Sequence, residues 1–488
     1  MAYNRGTFEK QGGTDDLPNY VYYNCDIINN KTGDLNALNI TEPDPQIRFN
    51  ETRDTALIRD ASQYEFSIIR FTMNGANRDL PLFIPNIAVG QSNVNLTNYA
   101  IAITLQQSWT TNLGVITFNV APSPTRVIYV PEVLNPVLAP VPNPPLTVQD
   151  ISSRYYWCLT YQHWLDIINT TLLTAHQTLF TAFQAAWAAY PGLTDAFPYA
   201  NFAAFQANVQ TPQIIFNEDT KHFTILGDSD GYGERLTPFT VLPYVAGTAV
   251  PATSPQERLF FNTNMAGLFA NFGGFYWNTT SISAITINQV LYPAFPTAVP
   301  AGYVREMIFS NEFYSNVADY RLAPYGGVPP LGYVPVAKQK VYYKLVQDYK
   351  SVDSIWSPIS SLVFTTSLLP IKFEAASQPN ILGTGNLGDS APTSRSAFTP
   401  IITDVALDTA IGGADDYRQF IYYAPAAEYR MSDLSSSKQE IRNIDISVFW
   451  KFRLNGQLYP INMFNLSSVS IKMMFRKKHI SEKKSLAY

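Results

Sequence analysis

Asn443-Ile-Asp-Ile-Ser-Val-Phe-Trp-Lys-Phe452 is the stretch on which the fold turns. Ile444, Ile446, Val448, Trp450 and Phe452 alternate with Asp445, Ser447, Phe449 and Lys451. A period of two puts the apolar set on one face of a strand, and that face is expected to be buried. Working outward, short runs rich in β-branched and aromatic residues recur at Gln419-Phe-Ile-Tyr-Tyr423, Ser361-Leu-Val-Phe-Thr-Thr366 and Gln339-Lys-Val-Tyr-Tyr-Lys-Leu-Val346. Near the other end of the chain the same rhythm returns in Tyr64-Glu-Phe-Ser-Ile-Ile-Arg-Phe71, Tyr99-Ala-Ile-Ala-Ile-Thr-Leu105 and Val115-Ile-Thr-Phe-Asn-Val120. Asn, Gly and Pro punctuate these runs. The expected fold is mainly β, an antiparallel jelly-roll β-sandwich of about eight strands in two sheets, formed by the N- and C-terminal halves of the chain.

The middle reads differently. From Val130 to Pro145, six prolines (131, 136, 140, 142, 144 and 145) favour extended geometry without a continuous ladder, which marks a linker. Beyond it Tyr161, Leu165, Ile168, Leu172, Ala175, Leu179, Ala182 and Ala186 alternate spacings of four and three, one stripe of a long helix placed at about 150–190. Tyr161, Leu165, Ile168, Leu172 and Leu179 are its expected packing face, and Pro191-Gly192 stops it. Strand signals resume at Gln213–Phe216 and His222–Leu226 around a polar turn, and a Pro/Gly-rich stretch from Pro293 to Pro335 reads as the return linker. The expected organisation is a flexible arm (1–16), a first half of the jelly roll (17–146), a mixed α+β insertion domain (147–335), a second half (336–478) and a basic tail (479–488). Three sequential domains are the alternative. Insertion is preferred because sandwich loops lie at the ends of the fold and tolerate long excursions. Gln378–Ser396, rich in Gly, Ser, Asn and Pro, reads as an exposed loop.

Only 15% of the residues are charged, whereas 30 Tyr and 30 Phe are present among 488. Wide uncharged surfaces suit permanent contact with other subunits, since charge is depleted and aromatics are enriched at the centres of interfaces. A net charge of -5 argues against a general nucleic-acid binder. Cys25 and Cys158 supply neither a disulfide framework nor a CxxC pair, and a reducing compartment is the simpler reading. Met1–Thr7 shows no apolar signal core and no run is long enough to span a bilayer, so a soluble chain without membrane insertion is expected.

No catalytic motif stands out: GxSxG, Walker-type, GxGxxG-after-strand and HExxH patterns are missing from the sequence. His163 and His176 lie thirteen residues apart on the helix and cannot share a metal as i and i+4 partners do. Cys158 and His163 fall on different helix faces. No cofactor and no catalytic residue is assigned. Asp228-Ser-Asp-Gly-Tyr-Gly-Glu234 resembles the start of a calcium loop through Asp228, Asp230 and Glu234, but its twelfth position is Phe239 in place of a bidentate Glu. A polar turn is preferred. Arg476, Lys477, Lys478, Lys483 and Lys484 make the C-terminal end basic, a contact for packaged nucleic acid or an acidic neighbour, or else a solvated tail.

Several stretches resemble the penton or minor capsid proteins of polinton-like viruses, virophages and related small eukaryotic DNA viruses. They are Arg59–Phe71 followed by Leu80–Pro85, Trp356–Thr366, Ala427–Asp433, Asn443–Lys451 and Lys472–Lys477. These cover both β-halves and little of the middle. The resemblance implies a capsid protein of the virion, assembled inside the host cell, with an insertion domain facing outward and open to a host receptor. It implies partners among the other capsid proteins and a homo-oligomer, a pentamer closing a vertex. A major capsid protein and a receptor- or carbohydrate-binding spike are the alternatives. Two complete jelly rolls would leave little room for the helical middle.

Overall fold

The alternation along 443–452 is realised as burial: Ile444, Ile446, Val448, Trp450 and Phe452 are each at most 2% exposed, while Ser447, Phe449 and Lys451 are only partly covered. The computed structural model describes residues 18–29, 45–75, 79–132, 141–217, 220, 222–232, 244–269, 272, 274–276, 285–287, 290–292, 305–307, 313–314, 342–347, 356–371, 401–406, 420–424, 431–434, 438–464 and 466–478. The expected arm, the tail, the 378–396 loop and parts of both Pro-rich linkers lie outside the described residues.

The chain starts with β1 (Tyr20–Ile28), β2 (Arg48–Thr52) and β3 (Tyr64–Asn74). A long excursion follows: β4 (Leu96–Thr111), β5 (Gly114–Val120), β6 (Thr125–Ile128), helices α1 (Tyr161–Ala188) and α2 (Phe202–Asn208), β7 (Gln213–Asn217), β8 (His222–Asp228), β9 (Val250–Pro251), β10 (Gln256–Phe261) and helix α3 (Thr263–Leu268). It continues with the short strands β11 (Gly274–Tyr276), β12 (Ile285–Ile287), β13 (Val290–Tyr292), β14 (Arg305–Met307), β15 (Phe313–Tyr314) and β16 (Tyr342–Val346). The chain then returns through β17 (Ile359–Thr365), β18 (Ile401–Ala406), β19 (Phe420–Tyr423), β20 (Ser432–Asp433), β21 (Asn443–Phe452), β22 (Leu458–Pro460) and β23 (Ser468–Lys477).

The outer members of this series build one jelly roll. One sheet runs β1-β23-β3-β19, with β20 also on β3; the other runs β18-β17-β21-β2, with β22 also on β21. Every described pairing in both is antiparallel. Their inner faces close on each other through Phe66, Ile68, Phe71 and Met73 of β3 and Leu362 and Phe364 of β17, all at most 2% exposed. Phe71 and Phe364 meet edge to face, with centroids 4.9 Å apart at 80°. In β3 the inward set is 64, 66, 68 and then 71, 73. The pairing with β23 shifts register between Lys472 and Met473, so a bulge supplies the extra residue that re-phases the strand.

Asp445 is the exception on β21, a carboxylate only 8% exposed. It holds the turn after β17, accepting from Thr366 Oγ1, from Ser367 N and Oγ at 2.7 Å each, and from Leu368 N at 2.8 Å. Burial pushes its pKa up, but these hydrogen bonds outweigh burial and hold the carboxyl below its ordinary value. A carboxyl whose pKa falls on folding stabilises the protein above its unfolded value and loses that contribution as pH falls through the folded value.

The excursion has its own layers. A seven-stranded sheet runs β11-β14-β10-β4-β5, with β6 and β9 also on β4, and a four-stranded sheet runs β15-β16-β8-β7. Helix α1 packs on β4, β5, β6 and β7. Thr160 caps it, its side chain accepting from His163 N at 3.2 Å, so the helix begins at Tyr161 and not near 150. Residues 154–156 form a separate 3-10 turn. Leu165, Ile168, Leu172 and Leu179 are buried and Tyr161 is partly buried. Trp164, Phe183 and Trp187 widen the stripe. Sandwich and excursion meet where the Trp157 ring lies 6.1 Å from that of Trp450; just before the chain re-enters the sandwich, Trp356 stacks on Phe223 at 4.8 Å and donates Nε1–H to Leu268 O at 3.1 Å.

The expected boundaries at 146/147 and 335/336 do not follow these pairings. β4 and β5 lie in the sheet of β10 and β14, and β16 pairs with β8, so the excursion opens after Asn74 and closes before Ile359. Alternation reports that a strand is covered on one face; it does not say by which sheet. β4 is buried on both faces from Tyr99 to Leu105, as a central strand under a helix is.

Joining Asn74 to Ile359 through a short linker is expected to leave a soluble sandwich with one cooperative thermal transition. Removing 147–335 instead strips β4 of β10 and is expected to yield an aggregating chain. Asp445→Asn is expected to lower stability at neutral pH by about 1–3 kcal/mol. In denaturant unfolding the difference between the two proteins narrows below about pH 4.

Candidate assembly surface

Strand β1 ends one sheet of the sandwich. Tyr23 and Cys25 point into the core, whereas Tyr20, Tyr22, Asn24, Asp26 and Ile28 are exposed. The Tyr20 and Tyr22 rings stack with centroids 6.3 Å apart at 10°, and Lys472 Nζ sits 5.3 Å from the Tyr22 ring. β1 pairs with β23 along one side, and no strand pairs with its other side among the described residues. A nine-residue open edge with an aromatic outer face is a template for another chain. Behind it, burial, reinforced by Glu51, pushes the Cys25 thiol up to about 12 and the Tyr23 hydroxyl to about 12, and Tyr23 donates to Glu51. Cys158 is fully buried and its thiol is also pushed up, so both cysteines are inert structural residues.

Three of the five basic residues expected at the C-terminal end are part of, or tied to, the sheet. Arg476 and Lys477 end β23, and Arg476 Nη2 lies 2.8 Å from Glu65 Oε2 on β3. Lys478 Nζ lies 3.3 Å from Asp433 Oδ1 on β20. Tyr20, Arg476, Glu65 and Asp433 thus form one row across four strands. Lys483 and Lys484 lie outside the described residues.

Asp228 is 1% exposed and organises a turn: Oδ2 accepts from Gln210 N at 2.8 Å, Oδ1 from Asp230 N at 3.0 Å, and its carbonyl from Tyr232 N at 2.8 Å. Both carboxylate oxygens face backbone donors, the arrangement of a polar turn. Glu234 lies outside the described residues, and no group of three His, Cys, Asp or Glu side chains placed to hold a metal occurs among the described ones. Beside this turn His176, fully buried, bonds Thr211 Oγ1 through Nδ1 at 2.7 Å and Glu257 Oε1 through Nε2 at 3.1 Å. Tyr232 donates to Glu257 Oε2 at 2.7 Å. Spacing along the helix gives no sign of this network, because Glu257 comes from β10.

A jelly roll with an open aromatic edge, a large excursion between its third and fourth strands and buried polar groups devoted to holding turns is the frame of an assembling protein. Residues 21–477 match the family of the Sputnik minor capsid protein V18/19. The chain belongs to that family. It is a structural component of the virion, in contact with other capsid proteins, and not an enzyme. No curated protein matches it. Among solved structures it is similar to a chain of the Sputnik virophage, with 18% identity over 96% of this chain and 100% of that one and a TM-score of 0.58, a likeness of fold. The mavirus penton protein aligns with 12% identity over 94% of this chain and 99% of that one, with a TM-score of 0.47.

Proposed function

We propose that the chain is a vertex subunit of the capsid, five copies closing a ring through their sandwiches while the excursion faces outward. One complete jelly roll per chain is the observation that carries this reading. The second eight-stranded sandwich that a two-roll shell tile needs is not found among the described residues, and Asn74 to Ile359 is occupied by other sheets. A single sandwich is one wedge, and a head-to-tail interface whose rotation closes makes a ring. The open side of β1, with Tyr20, Tyr22 and Ile28, is the face offered to the neighbour, and its aromatic, weakly charged character suits a permanent interface. Arg476 and Lys478 are engaged by Glu65 and Asp433, so of the five basic residues Lys477, Lys483 and Lys484 are the ones offered to an acidic neighbour.

Replacing Tyr20 and Tyr22 together by Lys sets like charge beside Lys472 without touching the core. The variant is expected to keep the near-ultraviolet circular dichroism of the parent and to sediment as a monomer where the parent forms rings. Rings of unchanged stability would remove β1 as the contact.

A further inference from the structure

Helix α1 carries the excursion away from the sandwich. At its start Tyr161 meets Trp356, close to where the chain re-enters the jelly roll. Its other end lies about 42 Å away for 28 helical residues. There Trp187 packs on Phe118 and Trp109, and three segments converge: the β4–β5 turn at 112–113, the loop after α1 at 189–196, and residues 244–248.

Two properties of this far tip stand apart from the rest of the surface. Segments 107–117, 186–201 and 244–255 contain one charged residue, Asp195, in a chain where 15% of residues are charged. Asp195 is buried, accepting from Asn112 N at 2.7 Å and from the Tyr244 hydroxyl at 3.0 Å. The tip exposes Leu113 (49%), Val115 (67%), Val245 (61%), Tyr190 (39%) and Tyr244 (36%), with Ala, Gly, Pro and the uncharged polar residues Asn112, Thr194 and Thr248 between them.

Several of the tip's loop amides are also paired within it. Leu113 N donates to Thr111 Oγ1 (3.1 Å), Leu193 N to Tyr190 O (3.3 Å), Thr194 N to Asn112 Oδ1 (3.2 Å) and Thr248 N to Val245 O (2.9 Å). Gly114, at φ +90°, lets the two-residue turn close. Each backbone donor paired in this way costs less to bring to an apolar boundary.

We propose that this tip rests on a lipid bilayer, Leu113, Val115 and Val245 entering the acyl boundary and Tyr190 and Tyr244 lying at headgroup level. Aliphatic side chains flanked by tyrosines, with no exposed charge, match that boundary. The contact is superficial, as no helix among the described residues is long and apolar enough to cross a membrane. It goes beyond the vertex reading and does not depend on it.

The test is co-flotation of the full chain with zwitterionic phosphatidylcholine vesicles, beside a variant carrying Leu113→Asp, Val115→Asp and Val245→Asp. The parent is expected to float, insensitive to ionic strength and to added anionic lipid, and the variant to lose about tenfold or more of its binding. Ring formation by the same variant, expected to be unchanged, keeps this result separate from the vertex proposal. Absence of flotation, flotation that requires anionic lipid, equal binding by the variant, or capture of the tip by a host protein with no affinity for vesicles would each overturn the proposal.

Discussion

The contact of Phe71 with Phe364 closes a sandwich whose third and fourth strands are separated by everything from Gly75 to Pro358. Neither half of the chain can bury its own inner face. β1 and β3 need β23, and β21 needs both β2 and β17. The excursion must therefore deliver its two ends to nearly the same place, and the aromatic joint around Trp157, Trp356 and Trp450 is where it does so. Closing a long loop costs only slightly more than closing a short one, so a folded excursion of this size is tolerated once its ends are tied.

Much of the sandwich was legible in the sequence. The 443–452 stretch alternates in the structure as it does in the sequence, and the 64–71 run is a core strand whose single slip is a bulge. The α1 stripe follows from spacing because helix periodicity reports burial whatever covers it. Sheet membership was not legible. Tyr99–Leu105 and Val115–Val120 look like sandwich strands, and only their pairing with β10 assigns them to the excursion. The same limit applies to polar residues. Acids and glycines at 228–234 resemble a cation loop whose twelfth position, Phe239, already favours a turn, and Gln210 N and Asp230 N on the Asp228 oxygens show what that turn is built from. Arg476 read as part of a tail because its partner Glu65 is far away in sequence.

Low charge serves different purposes in the two parts. In the sandwich it leaves β1 with an aromatic outer face beside an open edge, where a neighbouring subunit would complete the sheet. In the excursion it leaves a tip with no exposed charge among the described residues. Membership of the Sputnik minor capsid protein family is consistent with the first, since exposed apolar patches mark interaction sites.

Electron cryo-microscopy of purified particles tests the central claim most directly, by locating the chain in the shell. The account predicts density for one sandwich per subunit, five around each five-fold axis, with the excursion on the outer surface and β1 against the adjacent copy. Density for the chain at the shell-tile positions between vertices, or a vertex built without β1 at its subunit contact, would contradict it.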